Sequence, residues 1–292
     1  MKSLVDEIKK GKVLVSDGAW GTFLFELGLE NGDCPEIWNV TRRNDVLNVA
    51  KSYIDAGSDM ILTNSFGGHP IKLDHYGFKD RTFELNKAAA EISREAAGED
   101  KFVLGSMGPT GVVLMMGEVP EEEVYEGFCL QAKALAAGGA DAILVETMME
   151  LQEGVLAIKA AKASTDLEVI STFFFDKTVH GYYRTMMGVS PEQMVQAVKE
   201  AGADIIGANC GVGMDQMIEV VQAIREEDST TPILVHTNAG MPVIKDGKTV
   251  YPESPEEMAG KVKKLVECGA NVIGGCCGTT PDHIRAFIKA IK

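Results

Sequence analysis

The sequence predicts a (β/α)8 TIM barrel over residues 1–292 as a single domain. Three observations predict it: eight short β-branched or aliphatic runs, amphipathic stretches between them, and one junction motif that recurs along the chain. The runs are Val13–Ser16, Met60–Thr63, Phe102–Gly105, Ala142–Val145, Val169–Thr172, Ile205–Gly207, Ile233–Val235 and Val272–Gly274. Between them, Val46–Ala56, Val124–Ala137, Met194–Ala201 and Met258–Cys268 carry apolar residues at three- and four-residue spacing, the period of a helix with one buried face. The junctions Ala56-Gly57-Ser58-Asp59, Gly138-Gly139-Ala140-Asp141, Ala201-Gly202-Ala203-Asp204 and Cys268-Gly269-Ala270-Asn271 precede strands two, four, six and eight. In each, a glycine past the helix end supplies a left-handed cap and turns the chain into the next strand. Regular recurrence favours a closed barrel over an open sheet with a second domain.

Helix starts are equally legible. Ser190-Pro191-Glu192, Ser254-Pro255-Glu256 and Thr280-Pro281-Asp282 each set a capping hydroxyl before a first-turn proline and an acid. Connections into strands are short, whereas those leaving strands one, two, three, five and seven are long and polar, which is where barrel enzymes build their sites. Within the loop after strand seven, Val243–Val250 reads as a hairpin turning at Asp246-Gly247.

Composition narrows the function. A net charge of −15 opposes binding to nucleic acid or an anionic membrane surface. No apolar run approaches the roughly 18 residues that span a bilayer, and Met1–Lys12 lacks a signal-peptide core, so a soluble cytoplasmic protein is expected. Six cysteines in 292 residues, two of them adjacent, do not form the dense framework of a small secreted domain and point to metal binding or thiol chemistry.

The residues at the strand C-termini are Asp17, Asn64, Ser106, Glu146, Thr172, Cys210, Asn238 and the Cys276-Cys277 pair, which a barrel brings to one mouth. Strands six and eight are two apart, so Cys210, Cys276 and Cys277 can meet. The adjacent pair can serve one ion only where the strand has already ended, because successive strand residues face opposite ways. Three soft sulfurs with one open position suit Zn2+, and Cys34, Cys129 and Cys268 are left to packing. A vicinal disulfide is the alternative for the pair, but it leaves Cys210 without a role. Three thiolates make zinc a poor activator of water, so the site fits a substrate thiol better than a hydrolytic reaction, and alkyl transfer to sulfur is the natural chemistry. Asn238 or a water is expected in the open position. His236 is a further candidate ligand.

These segments resemble the homocysteine S-methyltransferase family over nearly the whole chain. The resemblance is carried by Asp17-Gly18-Ala19-Trp20-Gly21-Thr22, Thr63-Asn64-Ser65-Phe66, Gly105–Gly111, Glu146-Thr147, Asn209-Cys210, Asn238-Ala239-Gly240 and Gly274–Pro281. It implies a barrel with three zinc-binding cysteines and homocysteine as the methyl acceptor. By the same implication Asp17 and Glu146 bind the homocysteine ammonium group, Ser106 and loop amides such as that of Gly18 receive its carboxylate, and Cys210, Cys276 and Cys277 are the catalytic metal ligands. The chain departs from the methionine synthase modules of the family at His236-Thr237, where a tyrosine-proline pair is usual, and at the aromatic run Phe173-Phe174-Phe175, which bears on the shape of the pocket.

The sequence ends after the helix that follows strand eight, so the methyl donor is expected to be a free sulfonium or quaternary ammonium compound, or methylcobalamin on a separate corrinoid protein. The resemblance favours the corrinoid. Met115-Met116, Met148-Met149 and Met186-Met187 near the mouth read first as packing and second as a docking surface. Two other readings stay open: a barrel that passes methyl groups from another methylated substrate to a corrinoid, and a non-catalytic zinc or redox barrel.

Overall fold

Alternating apolar residues become strands when both faces of the sheet are covered, and all eight expected strands form. The structure, a computed structural model, describes residues 3–245 and 248–291. Its strands are β1 (Leu14–Val15), β2 (Met60–Leu62), β3 (Phe102–Met107), β4 (Ala142–Met148), β5 (Glu168–Phe173), β6 (Ile205–Asn209), β7 (Ile233–Thr237) and β8 (Val272–Gly275). Each is followed by a barrel helix: α1 (Arg43–Ala56), α2 (Thr82–Ala97), α3 (Glu121–Ala137), α4 (Leu151–Ser164), α5 (Pro191–Ala201), α6 (Met214–Glu227), α7 (Pro255–Glu267) and α8 (Pro281–Ile291). The strands run β1-β8-β7-β6-β5-β4-β3-β2, each paired in parallel with its neighbour. Three bonds close the seam between β1 and β2: Asp59 N donates to Val15 O at 2.7 Å, Val15 N to Asp59 Oδ2 at 3.0 Å, and Leu62 N to Asp17 Oδ2 at 2.8 Å.

The junction motif does more than turn the chain. Gly57, Gly139, Gly202 and Gly269 sit at φ +102°, +100°, +101° and +109°, a region open to glycine at little cost. The acid or amide two residues on then clasps the preceding strand through both of its polar ends. Its backbone N–H donates to Val15, Val103, Val169 or Ile233, and its side-chain oxygen accepts the N–H of the same residue. Asp59, Asp141, Asp204 and Asn271 thus tie the barrel bottom together two strands at a time. The two serine caps form complete capping boxes at Ser190 and Ser254, and at the third start Thr280 N donates to His283 Nδ1 at 3.1 Å.

Period two sorts the strand residues. Leu14, Met60, Leu62, Phe102, Leu104, Ala142, Leu144, Ile170, Ile205, Leu234 and Val272 form the barrel interior, while Ile61, Val103, Ile143, Val169, Ile206, Val235 and Ile273 pack against the helices. A short N-terminal helix, Leu4–Lys9, completes the interior from below. Leu4 and Ile8 join the inner cluster, and Glu168 accepts the Leu4 amide and the Ser3 hydroxyl, each at 2.6 Å.

At Gly207 the barrel wall leaves no room for a side chain, since a Cβ there would overlap the Leu234 carbonyl oxygen. Backbone cannot yield as a flexible side chain does. Gly207→Ala is therefore expected to cost at least about 3 kcal/mol. A urea unfolding midpoint within 0.3 M of wild type would contradict this.

The loop after β7 forms the expected hairpin, with Val243–Lys245 antiparallel to Lys248–Val250, and the Asp246-Gly247 turn lies outside the described residues. A second small hairpin, Asp176–Lys177 with Tyr183–Arg184, was not foreseen. The aromatic run differs from expectation. Phe173 and Phe175 are buried in the core, with ring centroids 6.5 Å apart, and none of Phe173, Phe174 and Phe175 lines the cavity described below. The first of them ends a strand with its ring against Gly154 of α4, so its aromaticity serves packing.

Candidate functional site

The inward alternation that fills the lower barrel with aliphatic groups continues upward and changes chemistry. Two residues beyond Leu104, Leu144, Ile170 and Leu234 stand Ser106, Glu146, Thr172 and His236, all buried. Asn209 occupies the same layer in β6, and Ser16 follows Leu14. A polar floor therefore lies under the mouth, above an apolar plug.

The three cysteines enter from just beyond the strands. Cys210 follows β6 in the left-handed region, at φ +61°, and its N–H donates to His236 O at 2.9 Å. The adjacent pair follows β8. Cys276 N donates to Thr237 O at 2.7 Å, and Cys277 O accepts Ala239 N at 3.0 Å, so the pair is laced across the end of β7 with Asn238 between the two bonds. Thr279 Oγ1 donates to Cys276 O at 2.7 Å and accepts Ala19 N at 3.1 Å, which ties this loop to the one after β1.

All three sulfurs lie within 4.8 Å of one another, and Cys210 and Cys277 are 4.0 Å apart. None is disulfide-bonded, which sets aside the vicinal disulfide in this structure. Tetrahedral zinc with Zn–S bonds of about 2.3 Å needs sulfurs about 3.8 Å apart, so the cluster fits such an ion. Among the described residues these are the only three His, Cys, Asp or Glu ligand atoms that gather so closely, and His236 is outside the group. The Asn238 Oδ1 and His236 Nε2 atoms are buried without hydrogen-bond partners among the described residues, a cost that a ligand or cation at the mouth would relieve. Without a cation the thiols cannot all ionise. Hydrogen bonds from Cys210 and Cys276 pull Cys277 below the ordinary thiol value, whereas hydrogen bonding to Cys210 and Cys277, with burial, pushes Cys276 up.

The sulfurs open into a cavity of about 480 Å³. Of the residues singled out from sequence, Gly18, Ser106, Glu146, Cys210, Cys276 and Cys277 line it, and Asn64 and His236 do as well. Asp17 and Asn238 do not. Asp17 lies behind the wall, fully buried, where its Oδ2 accepts Leu62 N and Trp20 Nε1, each at 2.8 Å, and its Oδ1 accepts Ser16 Oγ at 3.2 Å. Burial raises its pKa to about 6 against those bonds. The Ser106 hydroxyl donates to Glu146 Oε1, so its proton is directed at that carboxylate.

Glu146 has no cationic partner in any ion pair among the described residues. Burial raises its pKa to about 7, the Ser106 bond opposes the rise, and the charges of Asp17 and Cys277 add to it. A raised carboxyl means that the folded state holds a proton the unfolded chain has lost, so stability falls as pH climbs from the ordinary value towards 7. For zinc-free, reduced protein the wild type is expected to lose roughly 2 to 3 kcal/mol relative to Glu146→Gln between pH 5 and pH 8, measured by urea unfolding. Parallel profiles would contradict it.

Sequence reasoning missed much of the outer wall. Trp20, Phe66, Lys72 and Glu36 line it from the loops after β1 and β2. Glu36 accepts the Gly67 amide at 2.6 Å, and Lys72 Nζ stands 5.3 Å from the Phe66 ring centroid. Trp20 and Phe66 lie in segments that carried the family resemblance, whereas for Glu36 and Lys72 only the length of the loops was a signal. The methionine pairs also depart from the packing expectation. Met115, Met116, Met186 and Met187 are exposed on loops after β3 and β5, and only Met148 is in the core.

A family model described as homocysteine S-methyltransferase matches residues 14–291. Methionine synthase of Mycobacterium leprae is 33% identical over 296 residues, covering 96% of this chain and 24% of that protein. Methionine synthase of Mycobacterium tuberculosis is 32% identical over 301 residues, covering 98% and 25%. The chain thus spans about a quarter of the length of these curated relatives. The homocysteine methyltransferase MmuM from Escherichia coli, in its metallated form, shares the fold with a TM-score of 0.78 at 21% identity, over 96% of this chain and 97% of that one.

Proposed function

The chain belongs to the homocysteine S-methyltransferase family, and from that premise we propose that it methylates the sulfur of homocysteine as a single barrel domain, with Cys210, Cys276 and Cys277 holding zinc. The observation that carries this reading is the cluster of three sulfurs on the wall of a cavity that also presents the Glu146 carboxylate. Zinc bound there would supply a soft Lewis acid that accepts the substrate sulfur at its open position and keeps it deprotonated at neutral pH. Glu146 takes the ammonium group of homocysteine, and Asp17 adds negative charge from behind Gly18. Ser106 and the amide of Gly18 face the carboxylate end. Asn238, whose buried Oδ1 has no partner among the described residues, would be the neutral ligand beside the three thiols before substrate binds. Methyl transfer forms the S–CH3 bond and breaks the bond from methyl to donor. Holding the two in line supplies much of the acceleration.

The test is calorimetric titration of L-homocysteine into zinc-loaded and chelator-treated protein. Binding confined to the zinc-loaded form is expected, and equal binding to both would refute the reading.

As donor, the proposal is methylcobalamin carried by a corrinoid-binding protein or domain. The methionine synthase relatives, of which this chain spans a quarter, and the methionines exposed on the loops after β3 and β5, at the same end of the barrel as the cavity, support it. Replacing Met115 and Met186 together by lysine is expected to slow transfer from the corrinoid protein at least about tenfold, since exposed apolar anchors carry most docking energy. Transfer from free methylcobalamin should change less than twofold. Equal loss with both donors would contradict a docking role.

A further inference from the structure

Two residues other than glycine adopt left-handed backbone among the described residues: Thr147 at φ +60° and Cys210 at φ +61°. They follow Glu146 and Asn209, on strands separated by β5. For a β-branched residue this conformation is costly and persists only where its surroundings fix it.

What fixes Thr147 is one side chain. Asn209 is fully buried, and its Oδ1 accepts Thr147 N at 2.8 Å while its Nδ2 donates to Thr147 Oγ1 at 2.7 Å, a two-point grip on a single residue. The same Oδ1 accepts Thr172 Oγ1 at 2.7 Å from β5, and Nδ2 also reaches Glu146 Oε2 at 3.5 Å. The amide therefore bridges β4, β5 and β6 and uses both of its polar ends. One peptide bond further, its own backbone leads into Cys210.

We propose that Asn209 is a positioning residue that sets the Glu146 carboxylate against the three thiols: its side chain holds Thr147 directly and, by tying the end of β6 to β4 and β5, fixes the adjoining Cys210. The metal and the ammonium group of the substrate are then held at a fixed separation by one buried amide. The inference takes the identity of the substrate from the function proposed above, but the grip on Thr147 and the position of Cys210 do not depend on it.

Two affinities test it in reduced full-length protein: zinc affinity by competition with a chromophoric chelator, and homocysteine affinity by calorimetry at saturating zinc. Asn209→Ala is expected to weaken zinc binding about tenfold or more, the size of effect seen when a partner behind a metal ligand is lost. Homocysteine binding should weaken about 30-fold. Thr147→Gly/Asn209→Ala distinguishes positioning from general damage and keeps the test open if the single variant folds poorly, because glycine takes φ +60° without help. It should recover homocysteine affinity to within about threefold of Thr147→Gly, with zinc affinity still reduced. Unchanged zinc affinity in Asn209→Ala overturns the proposal. So does homocysteine affinity that stays within threefold of wild type, or a double variant no better than the single one. If wild-type protein binds zinc but not homocysteine, the proposed function fails, and the zinc result alone decides the role of Asn209.

Discussion

Cys277→Ser is expected to leave the protein with well under one zinc per chain and to lower methyl transfer to homocysteine about a thousandfold or more. The magnitude follows from the several kcal/mol that a metal centre contributes to stabilising developing charge, at 1.4 kcal/mol for each factor of ten. The cluster has three sulfurs within 4.8 Å and no fourth His, Cys, Asp or Glu atom as close among the described residues, so no spare ligand replaces one that is lost. Cys210→Ser and Cys276→Ser should behave alike. Cys129→Ser is the control, because that thiol donates to Ala160 O on the outer face of the barrel at 3.8 Å. Metal analysis of the purified variants together with initial rates checks the expectation. One zinc per chain in Cys277→Ser, with a rate within tenfold of wild type, would remove the cluster from the chemistry.

Glu146→Gln is expected to raise the KM for homocysteine about a hundredfold while zinc content stays at the wild-type level. Removing one partner of a buried charge pair costs a few kcal/mol, because the other charge is left desolvated and unpaired. Glutamine keeps the shape and can still accept the Ser106 hydroxyl, so only the charge is tested. Asp17→Asn addresses a different kind of group. Its Oδ2 already closes the β1–β2 seam through Leu62 N and holds Trp20, so the variant reports on the barrel as well as on substrate. Steady-state kinetics at several pH values, with zinc measured on the same samples, separates the two. A KM within threefold of wild type in Glu146→Gln would transfer the ammonium site elsewhere.

The frame was legible because it rests on periodic patterns. Eight apolar runs, four Gly-containing junctions and three Ser/Thr-Pro starts each have a local physical cause, and each appears where the sequence puts it. The cysteine cluster was legible for a topological reason, since strands two apart in a closed barrel bring their ends together. What the sequence concealed depends on side-chain parity and on loop paths. Counting inward in steps of two from Ile205 reaches Asn209, so the alternation available in the sequence could have marked it as a floor residue. Cys210 comes next to the sulfur cluster with a left-handed turn that no residue type announces. Glu36 and Lys72 lie on irregular loops, where no period predicts which side chain meets the cavity. The Phe173-Phe174-Phe175 run misled because aromatic residues at a strand end serve packing as readily as binding.

Metal coordination at Cys210, Cys276 and Cys277 is the most direct test of the proposed chemistry. Zinc X-ray absorption should be recorded on the purified protein alone and with L-homocysteine. Three sulfurs and one lighter atom in the free protein, rising to four sulfurs with homocysteine, is the predicted result. It would place the acceptor sulfur at the metal that Cys210, Cys276 and Cys277 hold. A zinc spectrum that homocysteine leaves unchanged would contradict the account, and would make the metal structural or the substrate a different thiol.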